Sequence, residues 1–435
     1  MAARSHPDST IQAQKEAWYC KAKELYAETQ HDPHQPLQIV QAAACIIFQA
    51  LMSRDYSVAW LVMGKAWRQA VALGFHRLEG DRIRSPGQAP EPTSLVEKEE
   101  QRRTMWTLFI LDRGMCFPVG LPHAIDDRQF MANLPLDTSV FQGIGSVPIE
   151  STTAKPFMRN FAKLLTSVQL DPNDPSPDLF HFIIVSYLLL GRIAEHLQAP
   201  YASTDPEEYE SEFRSLEADL IRLRLSIPRC ISSVPSGPTN TSKQAVWLNV
   251  MVNTSTILLH SRSKPRGTEA PINDQETRDD SGVADASQET KDLSEKKMQW
   301  SYCLAAAHST VDIVKNASRV SLEILLNPHT PVAFYFAGRV LALEYVDTKS
   351  SGSSDSQQQQ EKCQSLRTEI DFLLLLFDRI TEVFHALGTK FKSGLLFDLG
   401  QDVETARRIK TEGIRAFLGN CRGWSSRATD YRRPS

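Results

Sequence analysis

The stretch from Glu99 to Pro135 constrains the fold more than any other part of the chain. Its first part belongs to a predicted helix that begins at Ser94, because Ser94 is a suitable N-cap and Glu97, three residues later, completes a capping box. From Met105 to Leu111 every residue except Thr107 is apolar. A helix that is apolar on nearly all sides is buried in a core rather than lying on the surface. The stretch therefore predicts a central buried helix.

The residues after Cys116 end this helix. Pro118, Gly120 and Pro122 cannot continue it and begin an extended segment. We expect that segment to fold back along the helix, which would bring later charged residues close to those on the helix.

Charged and aromatic residues share one side of the predicted helix. Arg102, Trp106, Phe109 and Arg113 are separated by four, three and four positions, so they lie on one stripe. Two guanidinium groups can thus flank an aromatic pair and stack on Trp106. Arg103 lies beside this stripe, and both it and Arg102 follow two glutamates by about one turn, the favourable order for ion pairs.

Asp112 and Arg113 come directly after the buried run, where a charge without a partner is costly. The carboxylates of Asp126 and Asp127 are the predicted partners if the extended segment folds back. Two interpretations stay open. The set is either a ligand pocket or regulatory lock, or a structural salt bridge that holds a loop, as many charge networks are.

Composition excludes several classes of protein. Of the 435 residues, 41% are hydrophobic and 23% charged, which is typical of a globular protein. The formal net charge of −4 argues against an intrinsic nucleic-acid-binding surface. The N-terminus lacks the apolar core of a signal peptide. The longest apolar runs, Phe182–Leu190 and Phe372–Phe377, are too short to span a membrane.

Metal and catalytic motifs are missing from the sequence. The seven cysteines are scattered and never spaced as C-x-x-C, which excludes a local zinc cluster and favours a reducing compartment. His31 and His34 lie in a proline-containing loop without a third ligand, so we predict no metal site there. Neither H-E-x-x-H nor G-x-S-x-G nor a phosphate-binding glycine loop occurs. We predict a chain that is not an enzyme and binds no cofactor.

Helical periodicity continues to the C-terminus and predicts an all-α fold, a large multi-helix array with disordered polar insertions. Gly74 is placed to end one helix in a left-handed conformation. The predicted helices are 11–28, 37–51, 56–73, 94–116, 154–170, 176–198, 205–227, 241–260, 296–320, 330–346, 365–387 and 401–418.

Composition also divides the chain. We predict a helical core over 1–261 and a polar, disordered linker or insertion over 262–295. A C-terminal helical part, 296–420, contains a polar loop at 347–361. The last residues, 421–435, form a flexible tail.

The order of motifs between Ala17 and Pro135 resembles the fungal-specific transcription factor domain, the middle homology region of zinc-cluster regulators. A Leu-Gly-Phe-His turn at 73–76 is followed by an R-R-x-x-W-x-x-F-x-x-D-R helix and then by G-x-P-x-x-I-D-D. The residues at the fixed positions of the last two motifs are Arg102, Arg103, Trp106, Phe109, Asp112, Arg113, Gly120, Pro122, Ile125, Asp126 and Asp127. The chain departs from the family pattern at Asp126 and Asp127, which are adjacent rather than separated by one residue.

The resemblance implies a nuclear helical domain that regulates transcription of fungal metabolic genes, in secondary-metabolite or catabolic clusters. A full-length family member would carry a zinc cluster ahead of this region. We therefore expect this chain alone to make no sequence-specific DNA contact and to act through the transcription machinery or a partner transcription factor. Two alternatives stay open: a regulatory protein that senses a small-molecule effector or binds a partner, and a truncated gene product. Within the domain, the eight arginine, aromatic and aspartate positions from Arg102 to Asp127 are the candidate structural or regulatory residues.

Overall fold

The structure is a computed structural model that describes residues 8–30, 32, 34–53, 55–79, 92, 94–118, 120–144, 154–170, 177–198, 205–232, 240–261, 282–350 and 357–412. Within these ranges the side chains of 9, 230, 232, 282–295, 411 and 412 are not described.

The described residues form an all-helical fold without a β-strand, as the sequence predicts. The helices are α1 (Ser9–Ala13), α2 (Lys15–Thr29), α3 (Pro36–Met52), α4 (Tyr56–Ala72), α5 (Leu95–Cys116), α6 (Thr138–Gln142), α7 (Phe161–Ser167), α8 (Phe180–Gln198), α9 (Pro206–Ser226), α10 (Arg229–Ser232), α11 (Asn240–His260), α12 (Gly282–Val320), α13 (Pro331–Ser350), α14 (Gln357–Val383), α15 (His385–Leu399) and α16 (Val403–Glu412). Short 3₁₀ turns lie at Phe75–Arg77 and Leu322–Ile324.

Local sequence signals account for the helix ends around the predicted central helix. The side chain of Ser94 accepts a hydrogen bond from the backbone N–H of Glu97 and so caps α5. Gly74 has φ 82°, a left-handed conformation that a residue with a side chain rarely adopts. It directs Phe75 back into the core, where only 2% of the residue is exposed.

The buried apolar residues form one continuous core that runs from Tyr19 in α2 to Ile409 in α16. Helix α5 packs against α3, α4 and α8. Helix α11 joins this part to the rest through contacts with α8, α12 and α13, and α13 to α15 pack against one another. The central position predicted for the Ser94 helix is confirmed, because Met105, Trp106, Leu108 and Phe109 are fully buried while Thr107 is exposed.

Helix α8 is longer than the apolar run Phe182–Leu190 that it contains. Its 19 residues are by length and composition enough to cross a membrane, the one such helix in the described part of the chain. However, 83% of the apolar window is buried inside the fold. It is the kind of helix that fills the core of a large helical protein.

The helix predicted over 154–170 is wrong in its first half. Residues 154–160 are non-helical, and the carbonyl of Lys155 accepts a hydrogen bond from the N–H of Leu134, 2.8 Å away. The segment thus bonds to the chain that follows α5 instead of to itself. Helix α7 begins only at Phe161, after Asn160 caps it by accepting from the N–H of Lys163.

The C-terminal part differs from prediction in three places. Gln357–Gln360 begins α14 rather than lying in a polar loop, because a polar face suits a helix with one side in solvent. Helix α15 is missing from the predicted set; its Gly388 and Gly394 weaken a helical pattern but allow close packing, since a Cβ at Gly394 would lie 2.9 Å from the Tyr335 ring. The backbone from Gly282 to 295 is helical, as the start of α12.

Other predicted segments lie outside the described residues. These are 262–281 of the linker, 351–356 of the polar loop, His31, and everything after Glu412, including the tail. The division into domains therefore stays a prediction.

His260, at the end of α11, is buried between two other helices. Its ring lies 5.9 Å from Phe213 of α9 and 4.9 Å from Tyr302 of α12, and its Nε2 lies 3.9 Å from a Glu217 carboxylate oxygen. Burial, with a smaller contribution from Arg224, lowers the pKa of His260 to about 4. His308 behaves in the opposite way, because its hydrogen bond with Glu369 raises its pKa.

These two histidines predict opposite effects on acid stability. Between pH 6.5 and 4 the unfolded chain protonates position 260 while the folded chain does not, so His260 lowers the free energy of unfolding as pH falls, by roughly 2 kcal/mol at pH 5. We expect His260→Gln to lose less stability than wild type between pH 7 and pH 5 in urea unfolding. His308→Gln, the matched control, should lose more. Equal pH slopes in all three proteins would contradict the assignment.

Candidate regulatory site on helix α5

The first part of the site is an ion network around Glu99, whose side chain is completely buried. One of its carboxylate oxygens accepts from the N–H of Leu136 at 2.8 Å and from Arg103 Nε at 2.9 Å. The other accepts from Arg102 Nη1. Glu99 therefore ties α5 to the far end of the extended segment that follows the helix.

A second carboxylate, Glu79, which lies two residues after the 3₁₀ turn Phe75–Arg77, completes this network. It accepts from Arg102 Nη2 at 2.5 Å and from the N–H of Asn133 at 2.9 Å. Arg103 in turn donates to the carbonyl of Leu136 at 2.6 Å. Two carboxylates thus pair with two guanidinium groups, and Glu79 also lies 3.7 Å from the Lys98 ammonium group. Backbone groups of the extended segment bond to both kinds of charge. Charge-assisted bonds of this type are stronger than neutral ones.

The aromatic residues of α5 form the middle of the site. Trp106 is fully buried, and its indole N–H donates to the carbonyl of Asn133 at 2.7 Å. Its ring centre lies 4.4 Å from that of Phe130, 5.2 Å from Phe109 and 5.3 Å from Phe157. Phe130 and Phe157 come from the chain after α5, so this aromatic cluster fixes the returning segment by packing as well as by hydrogen bonding.

The third part is Asp112, which is completely buried. It accepts from the N–H of Ala124 at 3.0 Å, from the N–H of Ile125 at 3.1 Å and from Arg113 Nη1 at 2.7 Å. The same Arg113 nitrogen donates to the carbonyl of Ile125 at 2.6 Å. Asp112 therefore accepts from two N–H groups of the turn at Ala124 and Ile125, and Arg113 donates to one of its carbonyls.

Arg113 lies over an aromatic ring, but the ring is that of Phe109, 4.2 Å from the guanidinium carbon, rather than the expected Trp106. Another part of the Arg113 side chain faces α8. A Cβ at Gly191 would lie 3.0 Å from both Cγ and Nε of Arg113, so the helix backbone approaches the arginine closely.

The predicted pairing of Asp126 and Asp127 with the charges of Asp112 and Arg113 is wrong, although the segment does fold back; their structural or regulatory role stays a prediction. Asp126 accepts from the Nε of Arg128 at 2.9 Å, and this bond holds its pKa below the usual range. Asp127 pairs with Arg192 of α8 at 2.9 Å. Because Asp112 itself pairs with Arg113 at 2.7 Å, no further carboxylate is needed there. The two aspartates instead line an open polar cleft of about 740 Å³.

Cys116 completes the environment of Asp112. Its thiol lies 3.4 Å from the carbonyl of Pro122 and 3.8 Å from Asp112, to both of which it can donate. Burial, reinforced by the Asp112 charge, raises the pKa of Cys116. It is therefore a neutral thiol that donates weak hydrogen bonds, which is not the state of a reactive cysteine.

These contacts define what we call the α5 clamp: Glu79, Glu99, Arg102, Arg103, Trp106, Asp112 and Arg113 with the backbone they hold between Ala124 and Leu136. Sequence reasoning found the helix residues but missed Glu79, Asn133 and Leu136. Glu99 was recognisable, since it lies three and four residues before the two arginines. Within the described part of the chain, no group of three or more His, Cys, Asp or Glu residues is placed to hold a metal ion.

We predict that Arg113→Ala lowers the free energy of unfolding by about 3–5 kcal/mol, because a fully buried Asp112 loses its cation. Arg128→Ala is the matched control: it also removes an arginine from an aspartate, but its side chain is 71% exposed, and exposed pairs contribute less than about 1 kcal/mol. Urea unfolding of both variants measures the difference. Equal losses of unfolding free energy in the two variants would show that burial does not increase the contribution of the Asp112–Arg113 pair to stability.

Comparison with known proteins agrees with the motifs. The model of the fungal specific transcription factor domain matches residues 2–224, just over half of the chain. This range contains the whole α5 clamp. No solved structure matches the chain.

Individual relatives are fungal regulators. The chain is 24% identical to the transcription factor tazR of Aspergillus terreus over 53% of its own length and 34% of that protein. It is 28% identical to the pigment biosynthesis transcriptional activator pigB of Monascus ruber over 24% of this chain and 19% of pigB. It is 26% identical to the Zn(2)-C6 fungal-type transcription factor FTF1c of Fusarium oxysporum f. sp. lycopersici, over 39% and 18%.

The chain thus spans about a third or less of the length of these relatives. Both the family and the relatives indicate a regulator rather than an enzyme. The chain belongs to the fungal specific transcription factor domain family.

Proposed function

We propose that this chain regulates transcription of fungal metabolic genes from the nucleus, with the α5 clamp holding the regulatory domain in one state. The relatives support the metabolic part of this proposal, because pigB is named for pigment biosynthesis and another match is named as the regulator of the ascochitine biosynthesis cluster. Family membership supports the regulatory part.

The observation that carries the proposal is that residues of the family motifs contact one another and together hold one segment of the chain. Arg103, Trp106, Asp112 and Arg113 of α5 all bond to the segment between Ala124 and Leu136. Arg102 is linked to it through the carboxylates of Glu79 and Glu99. Buried charge pairs are a poor way to gain stability but can specify one arrangement over others. A helix that grips a returning segment by buried charges is suited to a domain with a restrained and a released state.

We further propose that this chain alone makes no sequence-specific DNA contact and reaches its genes through a partner transcription factor or the transcription machinery. Its formal net charge of −4 supports this, because phosphate recognition needs a basic surface. A mobility-shift assay at physiological salt should show no selective shift. Nanomolar, sequence-selective binding would contradict this part of the proposal.

A reporter experiment tests the regulatory role. The chain is fused to an unrelated DNA-binding domain in a fungal host, and reporter output is compared with that of the DNA-binding domain alone. We expect the fusion to change reporter output several-fold. We expect Arg113→Lys, which keeps the charge but loses the planar guanidinium that bonds to both Asp112 and the Ile125 carbonyl, to alter the size of that change. Arg128→Lys is the control and should behave as wild type. Output equal to that of the DNA-binding domain alone would contradict the proposal.

A second candidate function, sensing of a small-molecule effector, is favoured by one observation. A cavity of about 80 Å³ lies where α3, α4, α5, α8, α13 and α15 meet. Because residues of α5 form part of its wall, a bound molecule would touch the helix that carries the clamp.

A further inference from the structure

The cavity beside α5 is large enough for one small ring. A buried water needs roughly 10–15 Å³ of space, so a cavity of about 80 Å³ accommodates several waters or a single small ring. Most of its wall is apolar, as in ligand pockets generally. The apolar lining includes Leu51, Met52, Leu111, Met115, Val332 and Phe336.

Two cations also line the cavity, and both are engaged within the protein. Arg339 lies 3.3 Å from the carboxylate of Asp398. The ammonium group of Lys390 donates to the Tyr56 hydroxyl at 2.9 Å and lies 4.2 Å from the centre of that ring. We therefore assign neither cation to a ligand.

Tyr187 of α8 brings a buried hydroxyl to the same wall. Only 1% of the residue is exposed, and a Cβ at Gly114, another residue of the wall, would lie 4.0 Å from the hydroxyl oxygen. This oxygen accepts from the Trp247 indole N–H at 3.1 Å, but no group in the described part of the chain accepts the hydroxyl proton. Burial raises the pKa of Tyr187, so the hydroxyl keeps its proton. It is therefore a donor with no acceptor among the described residues.

His329, which lies just before α13, adds a neutral imidazole. Its ring stacks on that of Trp247, with ring centres 4.8 Å apart and planes inclined by 13°. Burial lowers the pKa of His329 to about 4, so at neutral pH one ring nitrogen is a donor and the other an acceptor. Neither nitrogen is hydrogen-bonded to any of the residues that the structure describes.

Trp247 holds these two polar groups near each other. Its N–H donates to the Tyr187 hydroxyl and its ring face carries His329, so both groups lie against one indole. Together they offer a donor from Tyr187 and an acceptor nitrogen from His329, which are the two partners that one hydroxyl group uses. Polar groups in protein interiors are normally hydrogen-bonded. A site arranged to bond a hydroxyl discriminates against an analogue that lacks it.

We propose that this cavity binds a small, neutral ring compound that carries one hydroxyl group, a phenol. Its hydroxyl accepts from Tyr187 and donates to His329, and its ring lies against the apolar wall. The size of the cavity selects a single ring, and the neighbouring donor and acceptor select the hydroxyl.

The cavity and the clamp share one turn of α5. Leu111, Gly114 and Met115 line the cavity, while Asp112 and Arg113 between them hold the turn that follows Pro122. A ligand that shifts this turn of the helix would act on the buried ion pair directly. This regulatory consequence rests on the proposed function, whereas the binding itself does not.

The test uses the purified full chain and two probes of matched size, phenol and toluene, whose dissociation constants are measured by NMR titration. A hydroxyl is costly to remove from water, so a purely apolar cavity would prefer toluene. We expect phenol to bind at least as tightly as toluene. Tyr187→Phe and His329→Phe each keep an aromatic ring and remove hydrogen-bonding groups. Each should weaken phenol binding about tenfold and leave toluene binding within about threefold.

Two further variants separate the cavity from the rest of the protein. Tyr345→Phe is the matched control, because it also removes a tyrosine hydroxyl but from a residue outside the described cavity wall; both affinities should stay unchanged. Val332→Phe should fill the cavity and abolish binding of both probes. If Tyr187→Phe or Val332→Phe does not fold, His329→Phe decides the matter, since it leaves the Tyr187–Trp247 hydrogen bond intact.

The proposal is overturned if phenol does not bind or binds more weakly than toluene. It is also overturned if the folded Tyr187→Phe and His329→Phe variants bind phenol as tightly as Tyr345→Phe, or if a folded Val332→Phe still binds either probe. Dissociation constants are independent of the reporter. Hydroxyl-selective binding without any reporter response would uphold the ligand site and count against the proposed regulatory function.

Discussion

The fold around α5 depends on the need of Asp112 for partners. A carboxylate with no exposure to solvent is strongly unfavourable unless it is hydrogen-bonded and paired. The chain supplies both, from the N–H groups of Ala124 and Ile125 and from the adjacent Arg113. Satisfying this one group fixes where the chain turns after Pro122. The aromatic contacts of Trp106 and the Glu99 network then hold the rest of the returning segment.

Much of this arrangement could be predicted from the sequence, because helical periodicity and capping act locally. The buried run from Met105 to Leu111 and the left-handed Gly74 are confirmed. The partners of Asp112 could not be predicted, because backbone amides carry no sequence signal. Asp126 and Asp127 were the natural partners for Arg113 by charge, yet both line a different cleft. Glu79 was missed for a related reason: it contacts Arg102 across 23 positions of the sequence, a separation at which no local pattern links two residues.

The same distinction explains the errors elsewhere. Lys155 with the following proline is a helix-start pattern, but the carbonyl of Lys155 bonds to Leu134 instead, so tertiary pairing overrides the local preference. Helix α15 contains glycines that weaken a helical pattern in isolation. In the folded chain Gly394 lies against Tyr335, where a larger residue would not fit. Close packing between helices, unlike periodicity within one, is invisible to a single sequence.

The α5 helix thus connects three features that a regulatory domain needs: a continuous core, a buried ion pair that selects one arrangement, and a cavity whose wall includes the same turn. Amide hydrogen exchange at Ala124, Ile125 and Leu136 measures the central claim most directly. If the clamp is as described, these three amides exchange only through global unfolding, at the rate of core residues of α5. Exchange as fast as that of exposed turns such as Arg128 would show that the returning segment is not held, and would contradict the account.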